Sequence, residues 1–354
     1  MTRYAPLHTF LLAVFTILPA GFALVPMPAA GQSAAGQSAV IVNYERFDEP
    51  GYPATSVRAA QFEAHLATLS SGRYVVRPVT EIVETLYSGG ILSNHTVGIT
   101  VDKGYRSFID FAWPRLKAAG LPVTLFIATD PLDGAWPGYV TWNEVRALHA
   151  DGVAIGLTGA SERSLVSMTA EERRDDLERA VARYEAELGK TPTLYAYPLG
   201  EMSAEAAESV KATGFGFAFG LYSGALNATE NRLFLPRYTI TQRYAGEDEF
   251  SMRLDSMGLP LAAFEPADPY LTGANPPEIF LTLDSSLGRV VKLACFHAQP
   301  DESFIEAVVE EVGERRYRIV IAKPFRPGSW RLNCTMPTGG KRWRWFGMQL
   351  HTAG

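Results

Sequence analysis

The sequence predicts an α/β barrel followed by a small all-β domain. Three observations carry this. Strand and helix patterns alternate from residue 39 to residue 219. From residue 278 on, the pattern changes to short strands separated by turn residues. The composition, 47% hydrophobic and 20% charged, is that of a chain that folds around a core.

The elements follow in order. Residues 39–44 (AVIVNY) are a β-branched run. Residues 56–69 place Val57, Phe62, Leu66 and Leu69 on one side of a helix. A helix over 80–87 precedes a strand at 97–101, and Gly120 stops a helix over 105–119. A strand at 123–128 comes next. Thr141 with Glu144 forms a capping-box pattern at the start of a helix over 141–150, as does Thr169 with Glu172 before a charged helix over 169–188 that Gly189 ends. Strands at 153–157, 194–197 and 216–219 and a helix over 203–213 complete the alternation. Such repeats imply a mostly parallel sheet with helices outside, most simply a barrel. The domain is expected over 36–255, with a Pro/Ala-rich linker over 256–277. Strands at 279–283, 290–296, 304–309, 317–322, 329–334 and 343–350 predict a β-sandwich over 278–354.

Residues 1–35 read as a signal peptide and spacer. Arg3 supplies positive charge, an apolar stretch from Leu7 to Val25 is broken by Pro19 and Gly21, and small residues follow at Ala29, Ala30, Ala34 and Ala35. A single membrane anchor is the alternative, and the breaks weigh against it. No later segment reaches the apolar length of a span. The protein is therefore expected outside the cytoplasm, in the periplasm or the extracellular space. The net charge is −6, which offers no basic stripe for nucleic acid or a membrane surface. Cys295 and Cys334 are the only cysteines. In an exported chain they suggest one disulfide, with two buried thiols as the alternative.

The stretch Val97–Gly98–Ile99–Thr100–Val101–Asp102–Lys103–Gly104–Tyr105 ends a strand and opens a helix, where barrel chemistry sits. It resembles the T-F-D-D-G motif of the polysaccharide deacetylases (carbohydrate esterase family 4). Ile155–Gly156 running into Ser161–Glu162 resembles that family's H-[ST]-x-x-H region. Tyr195–Ala196–Tyr197–Pro198–Leu199–Gly200 stands in the place of its third motif. The resemblance covers about residues 39–245. The ending around Asn333–Cys334–Thr335 and Trp343–Arg344–Trp345 is similar to an extra C-terminal domain of one bacterial subgroup.

The resemblance implies a distorted (β/α) barrel of the deacetylase type. It also implies hydrolysis of an N-acetyl group on an amino sugar by a divalent metal such as zinc, which activates a bound water while an aspartate takes its proton. Carried over residue by residue, the base falls on Asp102. The metal aspartate falls on Lys103, which has no lone pair for a metal at neutral pH. The two metal histidines fall on Thr158 and Glu162. Glu45 stands where the subgroup often has a histidine. A metal site needs about three protein ligands, so no cofactor is expected.

Two functions follow. One is a degenerate, glycan-binding or accessory protein with an amino-sugar polymer as partner. The other is a hydrolase acting on carbohydrate C–N bonds by an altered, metal-free route. Lys103 and Glu162 are expected to converge in an ion pair, with the ammonium also within reach of Asp102 and Glu45, and with Lys103 turned to solvent as the alternative. Glu45, Tyr105, Trp136, Tyr139, Tyr197 and Arg237 are candidate mouth and glycan contacts, and Trp142 and Tyr222 are expected nearby. Trp343, Trp345 and Phe346 read as a core-facing strand, with a sugar platform as the alternative.

Overall fold

The computed structural model describes residues 1–2, 37–288, 290–298 and 303–352. The chain divides after Gly31, and the described fold belongs to the unit Gln32–Gly354. The signal-peptide reading lies outside the described residues.

Seven strands build the barrel: β1 (Ala39–Tyr44), β2 (Thr96–Lys103), β3 (Thr124–Ile127), β4 (Ala154–Leu157), β5 (Leu194–Ala196), β6 (Phe217–Phe219) and β7 (Tyr238–Thr239). They run parallel in the order β7-β1-β2-β3-β4-β5-β6, with Val75–Val76 also paired to β2. An isolated bridge pairs Phe219 of β6 with Leu235, three residues before β7. The strands are nearly continuous apolar runs because both faces are covered: β1 is buried throughout, and β2 everywhere except Lys103.

The helices are α1 (Ala59–Leu69), α2 (Val79–Tyr87), α3 (Trp113–Ala118), α4 (Thr129–Asp133), α5 (Trp142–Ala150), α6 (Ala170–Leu188), α7 (Ala204–Ala212) and α8 (Glu247–Leu254). Both expected capping boxes form: Thr141 and Thr169 accept from the amides of Glu144 and Glu172, each cap contributing about 1 kcal/mol. Residues 105–119, expected as one helix, divide into a wide turn over Phe108–Ala112 and the shorter α3.

The C-terminal sheet holds β8 (Met257–Gly258), β9 (Leu261–Glu265), β10 (Tyr270–Leu271), β11 (Ile279–Leu283), β12 (Ala294–Ala298), β13 (Phe304–Gly313), β14 (Arg316–Val320), β15 (Gly328–Pro337) and β16 (Trp343–Thr352). Its order is β8-β16-β15-β12-β13-β14-β11-β9, with β10 also on β16. The long strand β13 pairs with β12 through Phe304–Ala307 and with β14 through Val308–Gly313, so one sheet supplies both layers. Leu281 and Ile319 from one half share a core with Cys295, Leu332 and Phe346 from the other. The stretch 256–277, expected as a linker, instead contributes β8, β9 and β10. Two-residue strands have no periodicity of their own; they exist because β16 offers its backbone. Cys295 and Cys334 face each other across β12 and β15 and form the disulfide. Among the described residues no helix is long and apolar enough to cross a membrane.

Candidate active site

The carboxyl ends of β1, β2, β4 and β5 meet at one mouth. Asp102, the penultimate residue of β2, is buried. Arg237 stands just before β7 with no exposed surface, and its two terminal nitrogens donate to Asp102 Oδ1 at 2.7 Å and Oδ2 at 2.9 Å. Asn43, near the end of β1, donates to Oδ2 at 3.1 Å and accepts from Arg237 at 3.0 Å. Thr100 donates to Asn43 Oδ1 at 2.8 Å. Arg237 Nε donates to the Gly220 carbonyl at 3.0 Å. Both Asp102 oxygens are thus occupied by donors from Arg237 and Asn43.

Lys103 turns away from this pair. It and Gly104 both have positive φ, 73° and 71°. A left-handed lysine costs about 1–2 kcal/mol. Its nitrogen lies 3.6 Å from Glu45 Oε1. The expected pairing with Glu162 is not formed, and Asp102 is not its partner either. The reason is register: β1 is hydrogen-bonded to β2 with Tyr44 opposite Val101, so Glu45 emerges beside Lys103, whereas Glu162 follows β4, two strands away. Burial, the largest influence on the Lys103 ammonium, pulls its pKa down, but Glu45, Glu162 and Tyr105 outweigh it and the net direction is up. Burial pushes the Glu45 and Glu162 carboxyls up, against the pull of Lys103.

Glu162 has φ 57° and accepts from the Tyr139 hydroxyl at 3.3 Å through Oε2. The loop before it is pinned from α6: Asp176 accepts from the amides of Ala160 and Ser161, each at 2.9 Å. Gly159 is required there, since its φ is 93° and a Cβ would collide with that carboxylate. Glu162 Oε1, Thr158 Oγ1 and the Tyr197 hydroxyl are buried without a hydrogen-bond partner. These three orphaned atoms stand at the ends of the adjacent strands β4 and β5.

Other expected contacts divide sharply. Tyr105 and Tyr139 pack with ring centroids 4.8 Å apart and line a groove of about 610 Å³ with Arg46 and Tyr52. The Arg46 guanidinium stacks 3.3 Å from the Tyr105 ring centre and 4.1 Å from that of Tyr52. Trp136 is half exposed and meets Tyr139 edge-on. Tyr197 and Arg237 are buried to 1% and 0% exposure and cannot touch a glycan. Trp142 is the first residue of α5, tied to Asp133 at 2.7 Å, and Tyr222 is buried with its hydroxyl on the Phe234 carbonyl. Neither is part of the mouth surface. In the C-terminal sheet Phe346 is core, Trp345 lies on the opposite face edge-on to Tyr238 of the barrel, and Trp343 is half exposed. The expected single core-facing aromatic strand is thus divided between two faces.

Two groups escaped the sequence reading. Asn43 was visible only as a polar residue inside a β-branched run. Glu201, after β5, accepts from Ser164 at 2.6 Å and Ser329 at 2.8 Å and pairs with His351 at 3.2 Å, which joins the mouth to β15 and β16. No local pattern signals such a link.

A resident metal does not fit. Among the described residues no three His, Cys, Asp or Glu side chains come together to hold one. The expected ligand positions present an ammonium engaged by Glu45, a hydroxyl, and one carboxylate on a tyrosine.

The family model for polysaccharide deacetylases matches residues 89–218. A putative polysaccharide deacetylase of Bacillus subtilis, YxkH, is 21% identical over 197 residues, covering 56% of this chain and 70% of its own. The Streptococcus pyogenes deacetylase PplD superposes with a TM-score of 0.58 at 15% identity, over 62% of this chain and 99% of its own. IcaB from Ammonifex degensii gives 0.54 at 21% identity, over 60% and 96%.

Proposed function

We propose, on the premise that this chain belongs to the polysaccharide deacetylase family, that it is an exported, catalytically degenerate member that binds an amino-sugar polymer without cleaving its amide. The observation that carries this reading is Lys103 in the metal position, anchored on Glu45. An ammonium supplies positive charge but cannot lower the pKa of a coordinated water as a divalent ion does. The base position, Asp102, is at the same time committed to Arg237.

What remains suits binding. Glu162 Oε1 and Thr158 Oγ1, which lack a hydrogen-bond partner, are a donor–acceptor set for sugar hydroxyls, since buried polar atoms need partners. Tyr139 and Trp136 at the rim offer ring surface for the apolar side of a pyranose. Export is supported by the signal-like first 35 residues and by the disulfide. Glu45, Lys103, Thr158 and Glu162 are assigned to the vacated site, and Asp102 with Arg237 to its support.

The test joins acetate release from chitopentaose, with and without added zinc, to metal analysis of the purified protein. Neither acetate nor stoichiometric zinc is expected, while chitopentaose binding is. The triple variant Lys103→Asp, Thr158→His, Glu162→His should gain zinc affinity that the parent lacks. Stoichiometric zinc in the parent, or zinc-stimulated acetate release by it, would restore the enzyme reading.

A further inference from the structure

Beside the mouth, the barrel and the C-terminal sheet enclose a second cleft of about 580 Å³. One wall comes from loops after β6 and β7 and from α8; the other is the outer face of β12, β15 and β16. Cross-strand register explains that face. Phe296 lies opposite Asn333, and Thr335 opposite Trp345, while Cys295, Cys334 and Phe346 point to the sandwich core. The sheet therefore presents aromatic rings, an amide and hydroxyls to the barrel side. A volume of this size, mostly apolar with a few convergent polar groups, is what ligand sites have.

Among the described residues the lining holds Arg243, Arg253 and Arg331 and one carboxylate, Glu249. Glu249 accepts from Arg253 at 2.6 Å. Arg331 is exposed and, among the described residues, makes no hydrogen bond or ion pair. Thr239 adds a buried hydroxyl without a partner. Rings, hydroxyl-matching groups and the Arg331 guanidinium together suit a sugar that carries carboxylates.

We infer that this cleft is a second glycan site, selective for an anionic oligosaccharide of the uronic acid class, with Arg331 as its charge reader and Trp345 and Phe296 as its stacking surface. It makes no use of Lys103 or Glu162, so it stands or falls apart from the reading of the mouth.

Calorimetric titration of the full chain with trigalacturonic acid, and separately with chitotriose, tests it. Saturable binding of the acidic trimer is expected, weakening as salt is raised and about tenfold weaker in Arg331→Ala, the loss of one charge-assisted contact. Thr335→Trp, which fills the cleft, should abolish it with the circular dichroism spectrum unchanged. Chitotriose titrations should not respond to Arg331→Ala. Absence of trigalacturonate binding at millimolar concentration, or equal binding by the parent and both variants, would overturn the inference.

Discussion

Arg237 carries its charge where water does not reach, and Asp102 is what makes that tolerable. Breaking a buried pair by removing one member leaves the other uncompensated, at a cost of about 3–5 kcal/mol. Arg237→Ala should therefore lower the urea midpoint sharply, with Arg237→Lys in between because one ammonium cannot reproduce two parallel bonds. An unchanged midpoint would mean that Asp102 is solvated. A second buried group makes stability depend on pH. His65 is fully enclosed between the Tyr44 hydroxyl at 3.0 Å and the Ala245 carbonyl at 3.1 Å. Burial pushes its imidazole down to about 4 from 6.5. Between those values the unfolded chain binds the extra proton and the folded one does not, so stability falls as pH drops through that window and the loss is complete below about 4. At 1.36 kcal/mol per pH unit the full effect is about 3 kcal/mol. Denaturation midpoints between pH 7 and 4 should show this slope, and His65→Gln should flatten it.

Among the elements, the strand exits hold three left-handed residues that are not glycine: Lys103, Glu162 and Leu199. Leu199 is also 57% exposed, so its side chain anchors little. Leu199→Gly should raise stability by about 1 kcal/mol by removing the strain, read as a higher melting temperature. A fall would mean that the leucine packs on a surface that compensates for it. The barrel strands were legible because parallel strands buried on both faces are written as apolar runs, and the helices because Thr141, Thr169 and Gly189 punctuate them. The same signals placed Asp102 and Lys103 at a strand exit, whereas Thr158 and Glu162 were singled out by the resemblance to the deacetylase motifs. Which of Glu162, Asp102 and Glu45 Lys103 would take was not legible, because it depends on the β1–β2 register and on a lysine adopting positive φ. Arg237 was misread for a related reason: arginine defaults to the surface, and its partner lies 135 residues away.

At the scale of the whole molecule, the disulfide is the covalent tie. It closes a loop of 39 residues between β12 and β15, which by loop entropy stabilises the fold by about 3–4 kcal/mol. Reductant should lower the denaturant midpoint accordingly, and the double variant Cys295→Ala, Cys334→Ala should match the reduced parent. Equal midpoints with and without reductant would contradict the tie. The pairing of β8 and β10 with β16 has a consequence for how this chain can be taken apart or recombined. The C-terminal sheet is not a cassette. Cut at residue 278, the fragment would leave the last strand with an open backbone edge, the kind that recruits other chains, and the barrel half would keep strands with nothing to hydrogen-bond. Any exchange of this region between proteins must carry residues 256–277 with it, because those residues serve as connector and sheet edge at once.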